Sequence, residues 1–381
     1  MTKKIFEGTV EKIVSGGWGL VGLEGRKVFV PLVLPGEVIQ YQIQSTHEKV
    51  WYGDLIKVLK PSPYREKPKC LYFGNCGGCS FQHINYSEQL RIKKEIFLDS
   101  LRRNGRIENP PMLDPIGSQE IFNYRCKVNL KANRLGEVGF YGRGSHEVVP
   151  IARCEIAMEA MNDYLPIIQA KAKQAALEKV REYELDFELK VVAGKVVEGN
   201  RAEGEFVQVN PGMNQLMKDE LAKELQKLSA KHCLELYSGA GNFTEILAAQ
   251  VSAVVAVEAN ALLTNQAKQK LSHDQDRIEF LAQTAKLGVE AMKRQERKFD
   301  LIFLDPPRRG ALEVLAGMAI LKPRTIIYVS CNPDSLARDL QYLLEHGYRL
   351  EKIQPFDFFP QTPHIESLSV LQQDVILNPA G

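Results

Sequence analysis

Seven cysteines stand in this chain, at positions 70, 76, 79, 126, 154, 233 and 331, and one of them is placed to react. Cys331 follows Ile326-Ile327-Tyr328-Val329-Ser330, a strand of buried type, and precedes Asn332-Pro333 in a polar loop before a helix. A thiolate in such a place can be both exposed and stabilised. A group that could move a proton follows in Phe359-Pro360-Gln361-Thr362-Pro363-His364-Ile365-Glu366, where Glu366 is the candidate base and His364 its competitor. Upstream, Leu234-Glu235-Leu236-Tyr237-Ser238-Gly239-Ala240-Gly241-Asn242-Phe243 reads as a strand, a glycine turn and a helix start. Glycines there let the backbone approach a ligand. The third glycine of a dinucleotide fingerprint is missing, since Thr244 takes its place. This argues for the looser loop of S-adenosylmethionine enzymes over a nicotinamide site. Glu258, at the end of the next strand, suits the ribose hydroxyls. Asp305, in Asp305-Pro306-Pro307-Arg308, closes another strand and falls at the carboxyl edge of the sheet, where α/β ligands bind.

A second constellation is Cys70-x5-Cys76-x2-Cys79, which a distant fourth cysteine, Cys154 or Cys126, could complete. Four thiolates suit a structural zinc or an iron–sulfur cluster, and spacing alone favours zinc. An odd cysteine count in a chain with no signal-peptide pattern argues against a disulfide framework.

These groups need elements to position them. Residues 5 to about 60 alternate short Val/Ile/Tyr/Phe segments with turn signals such as Gly16-Gly17, which predicts a small β-barrel. Residues 61–200 are mixed, with a basic helix from Tyr86 to Asn104, strands over Tyr124–Lys131 and Glu137–Tyr141, and a helix over Glu155–Glu182 broken near Pro166. From 201 onward strands and helices alternate, the mark of a doubly wound α/β sheet. Three domains, 1–60, 61–200 and 201–381, are therefore expected. Net charge is only +2, but nine Lys/Arg against four Asp/Glu fall between Pro61 and Arg106. That patch could neutralise phosphates, although a solvated basic helix face is the better reading from charge alone. No run is apolar enough to span a bilayer, and a cytoplasmic, monomeric protein is expected.

The chain resembles the RNA 5-methyluridine methyltransferases along its whole length. The resemblance rests on Phe206-Val207-Gln208-Val209-Asn210, the Tyr237–Phe243 loop, Asp305-Pro306-Pro307-Arg308, Ser330-Cys331-Asn332-Pro333 and Phe359–Glu366, in the family's order. It implies a class I S-adenosylmethionine methyltransferase fold, α/β, with an N-terminal barrel similar to an RNA-binding TRAM domain and a mixed α+β central domain. It implies Cys331 as nucleophile and Glu366 as proton acceptor, with Gln208, Tyr237, Asn242, Glu258 and Asp305 at the cofactor. Gly77-Gly78 between two cysteines resembles the [4Fe–4S] motif of the 23S ribosomal RNA branch, which implies Cys70, Cys76, Cys79 and Cys154 as cluster ligands in place of zinc. RNA, with 23S rRNA first, is the implied partner. Transfer RNA methylation and a non-catalytic RNA-binding protein are the alternatives, the latter opposed by the joint presence of Cys331 and Glu366.

Overall fold

The computed structural model describes residues 4–47, 50–178, 185–199 and 208–374. Phe206 and Val207 of the first family motif, and the expected boundary at 200/201, lie outside them.

The N-terminal segments form β1 (Ile5–Val14), β2 (Trp18–Leu23), β3 (Arg26–Val30), β4 (Val38–His47) and β5 (Val50–Lys60), closed into a barrel in the order β1-β2-β3-β5-β4. Val10, Val21, Val28, Ile39 and Tyr41 fill it. Closure leaves no unpaired edge.

The basic stretch is α1 (Tyr86–Gly105), capped by Asn85, whose side chain accepts from the Glu88 N–H. It is a brace more than a solvated face. Ile92 and Ile96 join the barrel core, while Phe97 and Leu101 join the core of the C-terminal sheet. Of its basic residues, Arg91 pairs with Glu88 and Glu95, Lys94 with Asp114 and Arg103 with Asp99. Lys93 is wholly buried. Most of the expected basic patch is thus neutralised within the protein.

A second sheet contains β6 (Lys127–Ala132), β7 (Val138–Tyr141), β8 (Val148–Pro150), β9 (Leu185–Val192) and β10 (Lys195–Gly199), in the order β10-β9-β6-β7-β8. Between β8 and β9 runs α2 (Glu159–Leu177), shorter than expected and unbroken at Pro166. Met161, Leu165, Ile168 and Ala172 form one buried stripe against this sheet, and that packing offsets the hydrogen bond lost at the proline.

The C-terminal part consists of α3 (Pro211–Gln226), β11 (His232–Leu236), α4 (Thr244–Gln250), β12 (Ala253–Glu258), α5 (Ala261–Lys270), β13 (Ile278–Ala282), α6 (Ala285–Arg294), β14 (Leu301–Leu304), α7 (Leu312–Leu321), β15 (Thr325–Ser330), α8 (Pro333–Glu345), β16 (Tyr348–Phe356) and β17 (Glu366–Gln373). Its seven-stranded sheet runs β13-β12-β11-β14-β15-β17-β16, parallel from β13 through β15 and antiparallel at β17 and β16. Strands β14 and β15 are buried at every residue, as parallel strands covered on both faces must be. This is the class I S-adenosylmethionine methyltransferase sheet, and its order reverses between β11 and β14. Among the described residues no helix is long and apolar enough to cross a membrane.

Candidate active site

Where the strand order reverses, the loops after β11, β12 and β14 surround a cleft of about 990 Å³. All five expected cofactor residues, Gln208, Tyr237, Asn242, Glu258 and Asp305, line it. The glycine loop is shaped by backbone that side chains resist: Tyr237, Gly239 and Gly241 have φ of 63°, 55° and 81°. Glu258 ties this loop to the end of β12, accepting from the Gly239 N–H at 3.0 Å and the Asn260 N–H at 2.7 Å. Asn242 and Asn214 exchange amide hydrogen bonds of 3.1 and 3.0 Å, fixing the loop to α3. Gln208 is held through its backbone, where the Cys126 thiol donates to its carbonyl at 3.1 Å. This binding explains Cys126, which does not join the cysteine cluster.

Asp305 links the cleft to the sheet edge that carries Cys331 and Glu366. The loop after it is pinned to the start of α8: the Asn332 amide and the Ser335 hydroxyl donate to the Arg308 carbonyl at 2.8 and 3.0 Å. Buried Asp339 accepts from the Ala311 N–H at 2.6 Å and the Tyr328 hydroxyl at 2.8 Å. Cys331 sits between the end of β15 and Asn332, the cap of α8. The β15–β17 ladder pairs Ser330 with Ser367, which sets Glu366 opposite Cys331.

Burial pushes the Cys331 thiol up to about 11, with the charges of Glu366 and Asp305 adding to the effect. Glu366 is pushed up to about 8, first by desolvation of its carboxyl and then by Asp305, although part of its side chain stays accessible. Asp305 is raised to about 7 by desolvation. The three acids share one half-buried corner, and the charge of one opposes the ionisation of its neighbours. His364 is pushed down to about 4, chiefly by desolvation of its ring, and is a weaker base than Glu366 near neutral pH.

A family model described as tRNA (Uracil-5-)-methyltransferase matches residues 162–374. An "Uncharacterized RNA methyltransferase" of Aquifex aeolicus is 32% identical over 427 residues, covering 98% of this chain and 99% of its own. The chain belongs to the RNA (uracil-5-)-methyltransferase family. The 23S rRNA (uracil(1939)-C(5))-methyltransferase RlmD of Pseudomonas fluorescens is 29% identical, with 96% of this chain and 93% of that protein covered. The crystal structure of the Pyrococcus abyssi tRNA (uracil-54, C5)-methyltransferase matches with a TM-score of 0.74 over 96% of this chain and 99% of that one. At 21% identity that likeness shows the shared fold. As an RNA (uracil-5-)-methyltransferase, the protein transfers a methyl group from S-adenosylmethionine to carbon 5 of a uridine in RNA.

Within this methyltransferase the loop between β16 and β17, which delivers Glu366, is gripped by α1. Lys93 donates to Asp357 at 2.5 Å and to the Phe359 carbonyl at 3.0 Å, and both side chains of the ion pair are fully buried. Gln89 accepts from the Gln361 N–H and donates to the Gln361 side chain, both at 3.0 Å. Lys93 was legible in the sequence only as one more basic residue. Asp357, alone among Phe356, Phe358 and Phe359, was the signal that a buried partner had to exist.

Cys70, Cys76, Cys79 and Cys154 line one cavity of about 180 Å³ between the cysteine loop and the second sheet. They lie near enough to oppose one another's ionisation: Cys79 is pushed up to about 12 by burial, with the other three adding to the rise. Among the described residues, no three His, Cys, Asp or Glu side chains converge closely enough to hold a single metal ion.

Proposed function

We propose that this enzyme methylates a uridine of 23S rRNA through a covalent bond from Cys331 to carbon 6 of the uracil. The observation that carries the reading is the placement of Cys331, Glu366 and Asp305 at one sheet edge beside the cofactor cleft. The Cys331 thiol gives its proton to solvent water and its sulfur adds to carbon 6; the electron pair of the carbon 5–carbon 6 double bond moves to the carbon 4 oxygen as an enolate. Carbon 5, now nucleophilic, forms the new bond to the methyl group. When bound, S-adenosylmethionine would supply that electrophilic methyl, its carbon–sulfur bond breaking with the electron pair to sulfur, and Gln208, Tyr237, Asn242, Glu258 and Asp305 would hold it. Glu366 then takes the carbon 5 proton, the electron pair re-forms the ring double bond, and the bond to Cys331 breaks. A site with both carboxyl groups raised toward neutrality suits this, since an acceptor near the working pH gives and takes protons readily. The target base must leave its stack to reach Cys331.

The four cysteines would hold a [4Fe–4S] cluster. All four border one cavity, and Gly77-Gly78 between two of them resembles the [4Fe–4S] motif, which supports the cluster over zinc. The cluster would supply a structural cross-link between the Cys70–Cys79 loop and Cys154. Residues 1–60 are read as a TRAM-like RNA-binding barrel, 61–200 as a central domain and 201–381 as the catalytic domain, acting as a cytoplasmic monomer. The likeness to RlmD supports rRNA; the family model's own description keeps tRNA as the second reading. Methyl transfer from labelled cofactor to RNA by the wild type, lost in Cys331→Ala, tests the covalent route. Transfer by Cys331→Ala at the wild-type rate refutes it. Mapping 5-methyluridine in rRNA and tRNA from a strain lacking the gene decides the substrate.

A further inference from the structure

Carbon 6 of a uracil is bonded to N1, the ring atom that carries the ribose. A uridine joined to Cys331 through carbon 6 therefore leads its ribose and phosphate out beside that sulfur. Strand β15 lies between β14 and β17, so the loop carrying Cys331 is flanked on each side. Glu366 starts β17 on one flank, and the loop after β14, with Asp305 and Arg308, forms the other. Both carboxyl groups, when ionised, would repel a phosphate. Arg308 carries the opposite charge, and it stands near enough to ease ionisation of Cys331 and to oppose protonation of His364.

The backbone that carries Arg308 is held firmly. Its carbonyl accepts from the amide of Asn332, next to Cys331, and from the Ser335 hydroxyl. The Gly310 N–H donates to the Pro307 carbonyl at 2.8 Å, and the Arg338 guanidinium to the Arg309 carbonyl at 2.9 Å. The side chain is uncommitted. Nearby cations are neutralised within the protein: Lys93 by Asp357, Arg309 by Glu313 and Arg338 by Asp339. The Arg308 guanidinium is exposed and, among the described residues, takes neither a carboxylate nor a hydrogen bond. On an open surface such an arginine would mean little, because water satisfies it. Fixed at its base beside the nucleophile, it presents a planar fork of donors where a phosphate must pass.

We infer that Arg308 binds the backbone phosphate of the target uridine and so aligns carbon 6 with the Cys331 sulfur. The inference rests on the covalent role of Cys331. Methyl transfer from labelled cofactor is measured with the full-length protein on RNA from a strain lacking the gene, over a range of salt concentrations. Arg308→Ala should lower kcat/KM about tenfold, with the loss carried by KM. Its plot of log kcat/KM against log salt should flatten by about 0.7, the share of one phosphate in a single strand. Arg308→Lys, which keeps the charge, should keep the wild-type slope. Melting temperature and S-adenosylmethionine affinity should match the wild type in both, since Arg308 is exposed and lies outside the lining of the cofactor cleft. Wild-type kinetics in Arg308→Ala overturn the proposal. So does a loss confined to kcat at an unchanged salt slope, which would make the guanidinium a partner of the thiolate alone. Cys331→Ala, assayed alongside, separates the two readings. Full activity there refutes the covalent route and this inference with it, whereas its loss beside an unaffected Arg308→Ala refutes the phosphate contact alone.

Discussion

Replacing Lys93 by Met tests whether α1 sets the geometry of Glu366. The ammonium is fully buried and donates to Asp357 and to the Phe359 carbonyl. Methionine matches its length and leaves Asp357 buried without its counter-ion, while the Phe359 carbonyl keeps its hydrogen bonds from Thr362. Breaking one side of such a pair costs about 3–5 kcal/mol, most of it from the stranded charge. Lys93→Met/Asp357→Asn removes that charge and keeps an oxygen for the Phe359 N–H, which donates to Asp357 at 3.1 Å. Urea denaturation should show the double variant recovering more than half of the loss. The catalytic effect should not recover with it, because Glu366 stands at the end of the loop that the ion pair holds. A misplaced Glu366 leaves the methylated base attached to Cys331, so both variants should accumulate protein–RNA adduct that survives denaturing electrophoresis. A cost below about 1 kcal/mol, far short of the range for breaking a buried pair, would refute the reasoning. A double variant no more stable than the single, or turnover that simply tracks stability with no adduct, would do the same.

Glu366→Gln should accumulate that adduct at near-normal stability while turnover falls about a hundredfold or more, the usual worth of a positioned base; release at the wild-type rate would transfer the role to another group. Glu235, on β11 and 1% exposed, is raised by burial to about 8. Its folded-state pKa exceeds the unfolded one, so its contribution to stability is full at low pH and declines as pH rises through about 8. Wild type should thus lose on the order of 3 kcal/mol more than Glu235→Gln between about pH 5 and pH 8, and parallel pH profiles in urea would exclude this. Gly310 has φ of +81°, and a Cβ there would lie 2.5 Å from Asp339 Oδ2. Gly310→Ala should cost about 2 kcal/mol or more and weaken cofactor affinity measured by calorimetry; an unchanged melting temperature would show that the loop tolerates it.

The sequence by itself placed the candidate chemical groups because that information is local. A strand ending in Cys331, a glycine turn after β11, Glu258 at the end of the next strand and Asp305 after another are each set by a few neighbouring residues. Strand periodicity placed all of them at one edge. Burial of both sheet faces made β14 and β15 continuous apolar runs, and turn glycines punctuated the barrel. The fold decided whatever depended on residues far apart in the chain. Lys93 and Asp357 are separated by 264 positions, and neither carries a mark of its partner, so the basic patch read as solvent-facing until α1 was seen bracing two cores. Pro166 read as a break because propensity is local, and the packing of one helix face overruled it. Cys154 and Cys126 were equivalent by spacing, and only the resemblance preferred Cys154; the fold puts Cys154 at the cysteine cavity and Cys126 against Gln208. Glu235 looked like any strand residue, and its raised pKa exists only because the folded sheet excludes water from it.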